Sequence, residues 1–293
     1  VRSIWSNIMT RRSPRDIAAD IAATLRKAGH VAWFAGGCVR DQLLGRDPKD
    51  YDIVTDATPD DVLKCFPRAQ PVGAAFGVML VRRHGMSVEL ATFRSDGIYV
   101  DHRRPETIEF ATAREDAERR DFTVNGLFYD PETDEVHDYV DGIEDLNARI
   151  LRAIGDPEAR FNDDHLRMLR AVRFHAALDM EIESNTEAAI IKHASNLSGI
   201  STERIGDECR RILSCDERIK GIDKLERLGL GASLFGNAAQ GHEWKHLESV
   251  GRSHADLPAL FAAWAIDRNL GSVDIDALIT QFRDRLSLSN QER

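Results

Sequence analysis

The sequence predicts an α/β (α+β) head followed by an all-α neck and body. Three observations carry this expectation. Short apolar runs bounded by Gly, Pro and charged residues alternate with helical patterns over residues 31–150. After Ile154 the strand signal fades, and successive helical patterns run on from residue 157. A length of 293 residues suits about two domains. On this reading residues 1–30 are an arm and helix, 31–150 the head, 151–215 a helical neck and 216–293 a helical body.

Residues 1–12 are polar and basic without a period and read as an arm. Ser13 then offers an N-cap, Pro14 the first helical position and Asp16 a first-turn acid. Ile17, Ile21 and Leu25 recur at helical spacing until Gly29 stops the helix. Residues 31–35 suit a buried strand, Gly36-Gly37 breaks it, and residues 39–44 read as a short helix ending at Gly45. Residues 51–54 predict a second strand and residues 59–65 a short helix. Residues 78–81 and 87–92 read as a hairpin around His84-Gly85. Residues 94–106 read as a long exposed loop, 107–110 as a strand, 115–127 as a helix and 136–140 as a strand. Helices are expected over 164–178, 186–197, 202–213 and 217–228, and in the remainder. The chain starts on Val1 and stops in a helix-like stretch, so the body is expected to be cut short.

Composition narrows the function classes. At 42% hydrophobic and 30% charged residues, wholesale disorder is excluded. A balance of 39 basic against 49 acidic residues argues against a non-specific DNA-coating protein, while leaving a local basic groove open. No apolar run approaches the roughly 20 residues of a membrane span, and no signal-peptide pattern opens the chain. Cys38, Cys65, Cys209 and Cys215 lack C-x-x-C spacing, so neither a zinc site nor a disulfide framework is indicated. The expectation is a reduced, cytoplasmic protein.

Two constellations carry chemistry. The strand-turn-helix around Gly36, Gly37 and Arg40 lets a phosphate approach the backbone and adds a positive fork, although taken alone such a segment is more often a tight turn that binds nothing. It matches neither the P-loop nor the dinucleotide fingerprint. Ten residues on, Asp50-Tyr51-Asp52 opens a strand, where a period of two sends both carboxylates to one face. Converging carboxylates repel unless a cation sits between them, and hard oxygen ligands suit Mg²⁺; two solvated acids are the alternative. Glu89, polar within an apolar strand, is the candidate third acid, or else an outward-facing strand residue. Arg119, Arg120, Arg167, Arg170 and Arg173 offer positive charge for a triphosphate or an RNA end, whereas Glu115–Glu118 read as a solvated face.

These residues resemble the class II tRNA nucleotidyltransferase and poly(A) polymerase family of the polymerase-β-like superfamily. Gly36-Gly37-Cys38-Val39-Arg40-Asp41 with Leu44-Gly45 and Asp50-Tyr51-Asp52 resembles its head motif. Thr92-Phe93-Arg94 resembles the end of its second catalytic strand. Arg119-Arg120-Asp121-Phe122-Thr123-Val124-Asn125 is similar to R-R-D-F-[ST]-x-N, and Asp141-Gly142 through Asp145-Leu146 to its D-G-x-x-D-L turn. Arg167 to Phe174 resembles its Arg-rich helix.

The resemblance implies a two-metal enzyme. It would use Mg²⁺ at Asp50 and Asp52 to add CMP and AMP from CTP and ATP to a tRNA 3′ end. It implies that Asp121 and Asn125 fix the ribose or base, and that Asp164 and Arg167 read the base edge. Two residues three apart on a helix share a face, so both are expected to point into one pocket; a surface ion pair is the bland alternative. Where many members have Glu-Asp, this chain has Asp163-Asp164. The segment 95–105 matches the family's flexible loop, associated with adding A after C. Bacterial poly(A) polymerases and A-adding specialists share these motifs. A catalytically silent RNA-binding relative is the alternative from another class. His165 and His175 and the four tryptophans are expected to be structural.

Overall fold

The computed structural model describes residues 12–73, 77–96, 108–236, 243–250, 256–268 and 274–288. The predicted arm and most of the predicted loop lie outside the described residues. Among the described residues the chain separates into two compact units, one ending at Leu146 and the other starting at Asn147.

The first unit is built on one mixed sheet. Helix α1 (Pro14–Lys27) opens on a capping box between Ser13 and Asp16. It is followed by β1 (Ala32–Ala35), α2 (Gly37–Leu43), β2 (Asp52–Thr55) and α3 (Pro59–Cys65). Then come β3 (Gln70–Gly73), β4 (Val78–Arg83), β5 (Met86–Thr92), β6 (Arg94–Asp96) and β7 (Ile108–Phe110). Helix α4 (Ala113–Glu118), a 3₁₀ turn at Thr123–Asn125, β8 (Leu127–Asp130), β9 (Glu135–Asp138) and α5 (Gly142–Ala148) complete the run. The main sheet has the order β3-β4-β5-β2-β1-β8-β9, and β2 and β5 are its parallel neighbours. Both faces are covered. Ile17, Ile21 and Leu25 of α1 are buried, as is the layer of Phe34, Ile53 and Leu90. On the other face Ala35, Val54, Phe93, Ala117 and Phe128 form one cluster.

The second unit is helical apart from a two-stranded parallel ribbon of β10 (Ile150–Leu151) and β11 (Glu181–Ile182). Its helices are α6 (Pro157–Asp163), α7 (Leu166–Leu178), α8 (Ser184–His193), α9 (Thr202–Leu213) and α10 (Arg218–Arg227). They continue as α11 (Leu230–Phe235), α12 (Lys245–Ser249), α13 (Leu257–Arg268) and α14 (Ile275–Leu286). Phe235, Trp264 and Phe282 pack as an aromatic trio, with Phe235 and Phe282 stacked at 4.2 Å. Gly206 of α9 has no room for a side chain, since a Cβ there would lie 2.0 Å from the Leu286 carbonyl oxygen. The predicted fold class, an α/β head followed by helices, is the observed one.

Several elements differ from the sequence expectation. The expected helix over 115–127 stops at Glu118, and Leu127 begins the buried strand β8. The break has a local cause: Asp121 Oδ1 accepts from the Phe122 backbone N–H (2.8 Å) and from Asn125 Nδ2 (3.0 Å), which closes a turn instead of a helix. Part of the expected loop 94–106 is strand β6, paired with β7. Edge strand β3, carrying Pro71, and the seven-residue helices α5 and α6 were not expected as separate elements.

Candidate active site

Strand β1 ends at Ala35, and Gly36 turns the chain into α2 with φ +69°, a backbone conformation that suits glycine. Register sets Asp52 opposite Ala35, so the first acid of β2 stands beside this turn. Tyr51 and Ile53 are buried while Asp50 and Asp52 are exposed, the alternation expected for two carboxylates on one face. Strands β2 and β5 pair Ile53 with Leu90 in parallel. One step back, the same register lays Glu89 beside Asp52 on the same face. Glu89 is exposed, the outward-facing one of the two placements its sequence position allowed; what links it to the pair is register. Asp52 keeps surface in contact with solvent, but the protein packed around its carboxyl partly desolvates it; that desolvation and then the Glu89 carboxylate push the acid up to about 6, the Arg120 guanidinium opposes the rise, and Asp50 adds to it. Among the described residues no three acid, His or Cys side chains converge into a metal cage. A cation here would rest on Asp50 and Asp52 and complete its shell from elsewhere.

Arg40 is not the open fork that its sequence position suggests. It is buried, and its Nε and Nη2 both donate to Asp41 Oδ1, at 2.9 and 2.7 Å. Its Nη1 donates to Asn125 Oδ1 at 2.6 Å, which ties α2 to a turn 85 residues away. Asn125 passes the chain on to Asp121. Arg40, Asp121 and Asn125 are thus one buried network that braces the glycine turn.

Arg119 and Arg120 converge on an acid that sequence reasoning missed. Asp116 has no exposed surface, although the acidic stretch around it reads as a solvated face. Its neighbour Ala117 belongs to the core cluster, but a six-residue helix is too short to display a period. Burial alone would raise the Asp116 carboxyl, but the Arg120 and Arg119 guanidiniums hold it below its ordinary range. Arg120 also lies against the glycine turn: a Cβ on Gly36 would stand 3.1 Å from its Nη1, whereas one on Gly37 would meet Arg40 Nη2 at 3.6 Å.

The remaining candidates belong to the second unit. Asp164 does not share a helix face with Arg167. It sits in extended conformation (φ −148°) between α6 and α7. Its Oδ1 accepts from the Leu166 N–H at 3.0 Å, and its Oδ2 accepts from Arg204 Nη2 of α9 at 2.7 Å. Arg167 is buried and donates from Nη1 to the Arg160 carbonyl at 3.1 Å, with Asp163 3.7 Å away. The two side chains are neighbours in sequence held by different partners. Arg170 and Arg173 both lie over the Phe174 ring, at 5.4 and 4.4 Å. Arg173 also pairs with the buried Glu208 at 3.3 Å, a packing role between α7 and α9. His165 and His175 are structural as expected, each with Nδ1 against a backbone carbonyl, of Phe161 and Met180.

The chain is similar to known proteins. The family described as Poly A polymerase head domain matches residues 32–152, and "Probable RNA and SrmB- binding site of polymerase A" matches residues 179–240. A CCA-adding enzyme of Anoxybacillus flavithermus is 40% identical over 249 residues, covering 85% of this chain and 62% of the relative. One of Geobacillus thermodenitrificans is 41% identical over 234 residues, covering 80% of this chain and 57% of the relative. The chain thus spans about six-tenths of these curated relatives. The crystal structure of the Bacillus stearothermophilus CCA-adding enzyme in complex with CTP is 31% identical and superposes with a TM-score of 0.72, over 94% of this chain and 70% of that one.

Proposed function

This chain belongs to the class II tRNA nucleotidyltransferase and poly(A) polymerase family, and on that premise we propose that it adds CMP and AMP from CTP and ATP to the 3′ end of tRNA, releasing pyrophosphate. The observation that carries the reading is the Asp50–Asp52 pair beside the Gly36 turn, in a chain 40% identical to a CCA-adding enzyme.

The donor set fits Mg²⁺: two exposed carboxylates on one face with Glu89 alongside, a crowding of negative charge that a divalent cation relieves. When bound, the metal supplies a Lewis acid for the RNA 3′-hydroxyl and for the phosphates. The chain's own residues do the rest. Gly36 and Gly37 leave the backbone open to a phosphate, because neither residue carries a side chain of its own. Arg120 supplies positive charge at that turn, and Arg119 stands beside it. The network of Arg40, Asp121 and Asn125 keeps the turn rigid, with Asp121 and Asn125 toward the ribose or base.

In the second unit, Asp164 accepts from the exocyclic amine of cytosine or adenine. Uracil and guanine present a carbonyl at that place and are refused. Arg167 donates to the ring nitrogen or carbonyl. Arg170 takes the RNA end, while Arg173 serves it indirectly through α7.

Single-nucleotide extension tests the reading. A tRNA lacking its last three nucleotides and an unstructured oligo(A) each receive CTP, ATP or both with Mg²⁺. Addition of C, C, A and then a stop on the tRNA alone is expected. Long A tails on both acceptors would replace the reading with poly(A) synthesis. A product only on a tRNA already ending in C-C would mark an A-adding specialist.

A further inference from the structure

Asp116 does more than fill a buried position. An isolated carboxylate in such surroundings would be heavily penalised, and this one is satisfied by two guanidiniums at once. Arg119 donates to Oδ1 from Nε (2.9 Å) and Nη2 (2.7 Å). Arg120 donates to Oδ2 from Nε (3.2 Å) and Nη2 (3.0 Å). The Arg94 backbone N–H adds a 3.4 Å contact to Oδ1. Neutralising the acid takes one arginine, so the trio keeps a net charge of +1.

The geometry sends that surplus to the active-site turn. With two nitrogens held by Asp116, Arg120 donates its third, Nη1, to the Asn125 carbonyl at 3.2 Å. The guanidinium lies 5.0 Å over the Phe128 ring. Its closeness to Gly36 therefore follows from clamps on several sides, with Asp116 the acid that holds two of its nitrogens.

We propose that Asp116 is a positioning residue for triphosphate binding: shared with Arg119, it fixes the Arg120 guanidinium so that its positive charge stands at the Gly36 turn before a nucleotide arrives. The inference rests on the nucleotidyl-transfer reading above. A guanidinium already ordered loses little freedom when a phosphate docks, and preformed charge binds an anion better than charge that must be gathered.

The test compares CTP with CMP by calorimetric titration of the full chain in Mg²⁺ without RNA. The two ligands share the base and ribose and differ in phosphates, so their affinity ratio isolates the phosphate contribution. In Asp116→Asn the ratio should fall by about 10- to 100-fold, the usual scale for removing a residue that orients a binding group, with CMP affinity unchanged. Asp116→Glu keeps the charge on a longer stem and should lose less. Thermal melts and near-UV circular dichroism establish which variants are folded. A folded variant of either kind with the wild-type ratio overturns the proposal. So does loss of the fold in both, which would make Asp116 a packing residue alone. Wild-type protein that binds CTP no better than CMP would instead sink the nucleotidyl-transfer reading itself.

Discussion

Asp50, Asp52 and Glu89 crowd negative charge where the start of β2 meets the middle of β5, and Asp52 carries the cost. Its acid is raised from an ordinary 3.8 to about 6. The folded state therefore binds a proton more tightly than the unfolded chain does. The resulting penalty is fully present above pH 6 and vanishes below about pH 4. Asp52→Asn should remove it: in chelator the variant should melt higher than the parent at pH 7.5 and at the same temperature at pH 4, while nucleotide addition is lost. An equal shift at both pH values would show that charge is not the cause. Such a position favours function over stability, as site residues commonly do. Asp50, Asp52 and Gly36 were legible because a D-x-D at a strand start and a double glycine are local patterns. Asp116 was not, because burial of one acid in a run of acids is decided by what packs on α4.

At the scale of elements, strands announced themselves where apolar runs were long enough to stand out, as in β1, β4 and β5. They hid where they were short or interrupted, as in β3 with Pro71 or β6 inside a charged segment. The Arg-Arg-Asp run after α4 looked helical by composition, but Asp121 and Asn125 spend their side chains on a turn. The same kind of misreading put Asp164 on a helix. Between two helices it is held instead by Arg204 from α9 at 2.7 Å, so the carboxylate proposed to read the base depends on a third element. We expect Asp164→Ala to raise UMP incorporation relative to CMP by about 10-fold or more, since a lost acceptor is worth roughly 1–3 kcal/mol of discrimination. Arg204→Ala should act in the same direction by less, because the carboxylate stays but loses its anchor. Competition between CTP and UTP at one added position measures both. Unchanged selectivity in Asp164→Ala would take base reading away from this loop.

For the whole chain, charge sets how an acidic protein can hold RNA. The net charge is −10, and many of its arginines are neutralised within the fold. Asp116 offsets one of the two charges of Arg119 and Arg120, Glu208 takes Arg173, Asp164 takes Arg204, and Glu226 takes the fully buried Arg268 at 2.8 Å. Arginines paired in this way contribute little to a broad basic strip, the usual electrostatic footprint of an RNA-binding surface. Binding should then rest on a few fixed guanidiniums at the RNA end. Each neutralised phosphate steepens the fall of log K with log salt by about 0.7 to 0.9. We therefore expect a slope of about −4 or shallower for a tRNA lacking its last three nucleotides, measured by fluorescence anisotropy across KCl concentrations. A slope near −8 would mean a wide field of phosphate contacts, and the internal ion pairs would then have to open when RNA binds.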